Sequence, residues 1–217
     1  MKPALTVASL QQCAAAFAGA ESARGEPTLF GVTDGKAVGT YLEQKFRQQV
    51  AARYSFEEGS SAKGIDFPGI GVDIKTTSIR QPQSSCPFKS ARQKIYGLGY
   101  SLLVFVYDKT DDHSARVAKL DVQHVIFVES HRTGDFQMTR ALRRIVEEEG
   151  NLDDLIAFMH DRLLPVDEIE AQKLAEEIMR GPPEQGYLTI SNALQWRLQY
   201  RRVIERAGEV NGVIRVR

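Results

Sequence analysis

The sequence predicts an α/β (α+β) fold, with a central mixed β-sheet flanked by helices and a mainly helical C-terminal part. Three observations carry this. Residues 72–77, 100–107 and 122–128 are apolar or β-branched runs of strand length. An amphipathic helical repeat precedes the first of them, and a shorter helical segment separates the first from the second. After residue 133, three helical patterns follow, each opened by an Asp or Asn that can cap it.

Taken in order, residues 4–18 form an Ala-rich helix with Leu10, Ala14 and Phe17 on one stripe. Gly19 to Gly35 reads as a loop through its Gly, Glu-Pro and Thr-Asp-Gly signals. Asp34 caps a helix running to about Arg53, whose Val38, Leu42, Phe46 and Val50 follow the i, i+4 rule. Val72 to Thr77 is a strand entered through a Pro68-Gly69 turn. A polar loop, Ser78 to Pro87, leads to a short helix over Phe88–Leu98. Tyr100–Tyr107 is a nearly continuous apolar run, as in a strand covered on both faces, and the charged segment Asp108–Asp112 ends it. Val122–Val128 is the next strand. Helices then start at Asp135, Asn151 and Asp167, and Gly181–Gly186 breaks the chain ahead of a basic amphipathic segment. Residues 1–132 are read as the core and 133–217 as a helical region, together one compact unit.

The 28 basic and 28 acidic side chains cancel, so the total charge does not advertise a polyanion ligand. Their distribution does. Lys75, Arg80, Lys89, Arg92 and Lys94 are spread over a stretch without an acid, and seven arginines face three glutamates from Arg180 to Arg217. The eleven acids between Glu147 and Glu177 would face away from such a ligand. No apolar run is long enough to span a membrane, no signal peptide is evident, and two cysteines without metal-ligand spacing suit a reduced, cytoplasmic protein.

One stretch carries chemistry. In Gly64-Ile65-Asp66-Phe67-Pro68-Gly69-Ile70-Gly71-Val72-Asp73-Ile74-Lys75, strand alternation puts Asp73 and Lys75 on one face and Val72 and Ile74 on the other. The Pro-Gly turn folds Asp66 back toward Asp73. Two carboxylates at one point repel unless a cation lies between them, and hard oxygen ligands favour Mg²⁺. A lysine beside them can hold the negative charge that develops on a phosphate. The plainer alternative is a surface hairpin with an ordinary Asp-x-Lys pair. The loop residues Arg80, Gln81 and Gln83 suit phosphates and base edges, as they would suit an ordinary solvated loop.

Asp66, six residues, then Asp73-Ile74-Lys75 resembles the PD-(D/E)XK nuclease motif, most closely its MutH-like branch with the related type II restriction endonucleases. Glu is the commoner second acid in that branch, where this chain has Asp73. The resemblance covers roughly residues 34–108, and 184–200 weakly. It implies a restriction-endonuclease-like core and a Mg²⁺-dependent, site-specific endonuclease acting on double-stranded DNA to leave 5′-phosphate and 3′-hydroxyl ends. Asp66, Asp73 and the Ile74 carbonyl would ligate the metal, and Lys75 would position the water. Lys36–Glu43 is similar to the helix that supplies a further glutamate, here Glu43, although the gap to Asp66 is longer and Glu57 and Glu58 compete for the role. Arg92-Gln93-Lys94-Ile95 is similar to the segment that brings a second lysine, so Lys94 becomes a candidate for the scissile phosphate, with a solvated helix lysine as the alternative; Lys89 and Arg92 on the same helix are further DNA-binding candidates. Gly186-Tyr187-Leu188-Thr189-Ile190 looks like the C-terminal segment that approaches the DNA grooves, which adds Tyr187, Asn192, Arg197 and Arg201. A palindromic target would suit a homodimer, with a monomer as the alternative. A type II restriction enzyme is the first reading. A mismatch-repair nicking endonuclease, or a non-catalytic DNA-binding domain on the same fold, is the rival.

Overall fold

The structure is a computed structural model that describes residues 2–57, 59, 64–86, 89–191 and 197–217. Strands β4 (Ser101–Asp112) and β5 (Val117–Val128) form a long antiparallel hairpin, the spine of the main sheet. Strand β2 (Val72–Ser78) lies parallel to β4 at the edge, with Asp73 opposite Leu102 and Lys75 opposite Val104. On the far side of β5, β1 (Gly25–Glu26) and β8 (Val213–Arg215) pair antiparallel with its two ends. The mixed sheet of an α+β fold is therefore present as the sequence predicts.

The continuous apolar run of β4 has a simple cause. Leu103, Phe105 and Tyr107 enter a core roofed by helices α1 (Val7–Ser22) and α2 (Gly35–Arg53), where the Phe17, Phe46 and Phe105 rings meet at 5.1–5.8 Å. Leu102, Val104 and Val106 enter a second core on the opposite face, with Leu188, Ile190, Leu198, Tyr200 and Val203. Both faces are covered, so every position is apolar.

The third core is helical. Helix α3 (Arg92–Tyr96) packs with α4 (Phe136–Glu147), α5 (Leu152–Asp161) and α6 (Glu168–Arg180) through Ile95, Met138, Leu142, Leu155, Met159 and Ile178. Asp34, Asp135, Asn151 and Asp167 each cap a helix with their side chains, as expected. Among the described residues no helix is long and apolar enough to cross a membrane.

Several expectations are corrected. Helix α1 runs on to Ser22, and the expected loop after it contains β1 and a 3₁₀ turn at Pro27–Leu29. Strand β4 does not stop at Tyr107. It pairs with β5 through Asp112, with Lys119 3.6 Å from the Asp112 carboxylate. The apolar pattern ends where the cover ends, while the backbone ladder continues into solvent. The helix expected over 88–98 is confined to Arg92–Tyr96, with residues 87 and 88 outside the described ones.

The C-terminal part is not wholly helical either. Strands β6 (Thr189–Ile190) and β7 (Arg197–Gln199) join β3 (Gln83–Ser85) in a second sheet. Among the described residues of this segment the helix is α7 (Arg201–Arg206), after which β8 returns to the main sheet. Exposed Arg197 and Gln199 alternate with buried Leu198 and Tyr200, the period of a strand, and the Tyr200 hydroxyl sits 2.6 Å from Ser84 Oγ.

Candidate active site

The turn ahead of β2 sets the geometry. Pro68–Ile70 makes one 3₁₀ turn, and Gly71 adopts φ 62°, ψ 41°, a left-handed conformation natural to glycine. The reversal lets Phe67 and Val72 exchange backbone hydrogen bonds of 2.9 and 3.2 Å. Asp66 is thereby carried alongside the edge of β2, where the Ile74 N–H donates to its Oδ2 at 2.9 Å. The N–H and C=O of one strand residue point to the same side, so the Ile74 carbonyl faces that edge too.

Asp73 and Lys75 share one face of β2, as alternation requires, and Lys75 Nζ lies 2.6 Å from Asp73 Oδ2. Burial pushes Asp73 up to about 6; Lys75 pulls the other way, and the nearby Asp66 adds to the rise. Burial opposes the charge of Lys75, but Asp73 more than offsets it and raises the lysine above its ordinary value. At neutral pH the pair is therefore carboxylate and ammonium.

Helix α2 supplies two more groups. Glu43 accepts from the Thr76 hydroxyl at 3.1 Å, and Arg47, one turn later, donates to Asp66 Oδ1 at 3.2 Å. Burial, and then the Asp66 charge, push Glu43 up to about 7. The close approach of α2 depends on Gly39. A Cβ there would stand 2.5 Å from Thr76 Oγ1. Glu43, Arg47, Asp66, Asp73, Ile74 and Lys75 together line a cleft of about 480 Å³.

The donor set fits a hard divalent cation. Although Lys75 is close, Asp73 Oδ2 is buried without a well-directed hydrogen bond among the described residues. Such an oxygen, facing a second carboxylate, is stabilised by a cation. Among the described residues no three Asp, Glu, His or Cys side chains are grouped to hold an ion by themselves. Among the described residues, Asp66 and Asp73 line the cleft together with Ile74, whose carbonyl lies on the same strand edge.

Other residues singled out from the sequence lie elsewhere. Lys94 is buried in a separate cavity of about 160 Å³ with Asp135, Gln137, Arg162, Thr189 and Ile190, and burial lowers its pKa. Arg92 pairs with Glu177 of α6 and stacks 4.4 Å over the Tyr96 ring. Arg80 pairs with Asp108 at 3.0 Å, and Arg201 with Glu205 at 3.1 Å. The Gln81 and Gln83 carbonyls both accept from the Thr77 hydroxyl, which shapes the loop leaving β2. Lys89 and Arg197 are exposed, and Tyr187 is half-buried against Phe136. Glu57 is exposed, whereas Glu58 and Asn192 lie outside the described residues. Arg47 and Thr76 are not among the site residues the sequence suggests, and Gly39 enters there only as part of the Lys36–Glu43 likeness. Only the i, i+4 spacing from Glu43 to Arg47 hinted at one of them.

The family model described as "Type II restriction enzyme NspV" matches residues 4–215. The type II restriction enzyme NspV of Nostoc sp. (strain ATCC 29411 / PCC 7524) is 66% identical over 212 residues, 98% of this chain and 96% of the relative. The chain belongs to the NspV family of type II restriction enzymes. This membership supports a site-specific deoxyribonuclease and decides for restriction over mismatch repair and over a non-catalytic domain. No solved structure matches the chain.

Proposed function

We propose that this NspV-family enzyme cleaves double-stranded DNA by the Mg²⁺-dependent chemistry of PD-(D/E)XK nucleases. The carrying observation is the convergence of Asp66 and Asp73 on one cleft, with Lys75 2.6 Å from an Asp73 oxygen that no other donor satisfies among the described residues. Asp66, Asp73 and the Ile74 carbonyl would hold the metal. A bound Mg²⁺ supplies charge neutralisation at the phosphate and makes a water more acidic.

The chain's own groups do the rest. Lys75 keeps its proton, so it donates to the attacking water and to the phosphate oxygens rather than acting as a base. Glu43, raised to about 7, can take up a proton near neutrality. Arg47 and the Ile74 N–H fix both oxygens of Asp66. Water oxygen bonds to phosphorus, the P–O3′ bond breaks and the 3′ oxygen is protonated, leaving 5′-phosphate and 3′-hydroxyl ends. Lys94, enclosed in its own cavity, is assigned no part in this step. Arg197 on β7 and the Arg80 loop extend the DNA-contacting surface beyond the cleft, and a homodimer would match a palindromic site. Residues 1–132 would carry the chemistry and 133–217 part of the DNA contact.

The test is digestion of a plasmid by the purified chain with Mg²⁺, followed by mapping of the ends. Discrete fragments with 5′-phosphates, lost on chelation with EDTA, are expected. Cleavage that persists in EDTA would overturn the proposal.

A further inference from the structure

Helix α2 carries a second set of polar side chains beyond the cleft. Gln44, Arg47, Gln48 and Ala51 recur at three and four residues and so share one stripe of the helix. With Phe56 they line a groove of about 230 Å³. Arg47 lines this groove and the Asp66–Asp73 cleft alike, so the two are joined at its side chain. The floor is firm, because the Phe56 ring packs edge-on against Phe67 at 5.0 Å, and Phe67 adjoins Asp66.

The groove is lined by one cation, two amides and apolar surface, and no acid is among its lining residues. Lys45 is held by Glu21 at 2.8 Å and leaves the groove to the others. Gln44 and Gln48 are exposed, and among the described residues neither side-chain amide has a hydrogen-bond partner. One N–H of Arg47 goes to Asp66, and a guanidinium has five, so the same fork can hold a second anion without releasing the first.

From this we propose that the Gln44–Arg47–Gln48 groove binds the phosphodiester backbone of the DNA strand next to the scissile phosphate. The two amides act as neutral donors to phosphate oxygens, and Arg47 is the charged link between groove and cleft. DNA thus runs along α2 on one side of the cut. The inference rests on the cleft being the cleavage site.

The experiment uses the full chain carrying Gln44→Glu and Gln48→Glu, with Gln44→Ala/Gln48→Ala as a second, uncharged variant. Gln172→Glu on exposed α6 controls for added charge. Affinity for plasmid-derived duplex DNA is measured in EDTA, and KM and kcat are measured with Mg²⁺. The double Glu variant is expected to raise Kd about tenfold or more, through repulsion of phosphate. The double Ala variant is expected to raise it severalfold, with the loss falling on KM more than on kcat. A Kd within twofold of the parent for both variants overturns the groove, even where the parent cleaves and the cleft stands. A parent that binds but does not cleave, with binding weakened by the variants, supports the groove and overturns the cleft.

Discussion

The Thr76 hydroxyl donates to Glu43 Oε1 at 3.1 Å, across the seam where Gly39 lets helix α2 lie against strand β2. Two elements far apart in sequence are thereby fixed at the mouth of the cleft. A Cβ at position 39 would stand 2.5 Å from Thr76 Oγ1, which cannot withdraw without breaking its bond to Glu43. Gly39→Ala should therefore reduce cleavage more than tenfold despite alanine's better helix propensity, by roughly 1 kcal/mol. Adding Thr76→Ala should restore the melting temperature lost to the clash but not the activity. Unaltered cleavage by Gly39→Ala would show that the seam does not position the site.

Removing either member of the Asp73–Lys75 pair leaves the other charge buried beside Asp66. Asp73→Ala and Lys75→Ala are each expected to lower kcat by about 10²–10³ or more, the scale of losing one preorganised electrostatic group. DNA affinity measured in EDTA should stay close to the parent's. A gel cleavage time course with a matched binding titration checks both.

Glu43 at about 7 and Asp73 at about 6 lie above ordinary carboxylates, chiefly through burial. Their folded values exceed the unfolded ones, so between these limits the folded state binds more protons. Their contribution to stability is complete below the unfolded pKa and is lost as pH rises toward 7. Melting of the metal-free protein should thus show a falling component across this window, and Glu43→Gln should flatten it. An identical pH profile in that variant would contradict the assignment.

Divalent cation should reverse the same penalty. A Mg²⁺ ion bound by the folded chain alone would stabilise it by about 2.7 kcal/mol at a hundredfold excess over Kd. Thermal melts in Mg²⁺ and in EDTA are expected to differ for the parent and to coincide for Asp66→Ala and for Asp73→Ala. A shift that survives both substitutions would place the cation elsewhere.

The packing beneath the site can be tested separately. Phe46 is fully buried between Phe17 and Phe105. Phe46→Ala should destabilise the fold by about 3–5 kcal/mol, as for other buried aromatic truncations. Urea denaturation of parent and variant measures the difference.

By itself the sequence determined what depends on neighbours along the chain. Period-two alternation located β2, continuous apolar runs located β4 and β5, a period of 3.6 located α2, and the capping residues Asp34, Asp135, Asn151 and Asp167 marked where helices begin. Asp66, Asp73 and Lys75 could be seen together because one turn and one strand join them, within reach of local geometry. Tertiary structure decided the rest. Arg47 reaches Asp66 across 19 residues and Glu43 meets Thr76 across 33, separations no local pattern spans. It also withdrew Lys94 into its own cavity and turned the arginine-rich segment after Gly186 partly into strands, since the sheet face above Leu102, Val104 and Val106 had to be covered. Propensity and spacing act over a few residues, whereas burial and charge pairing are settled only when distant segments pack.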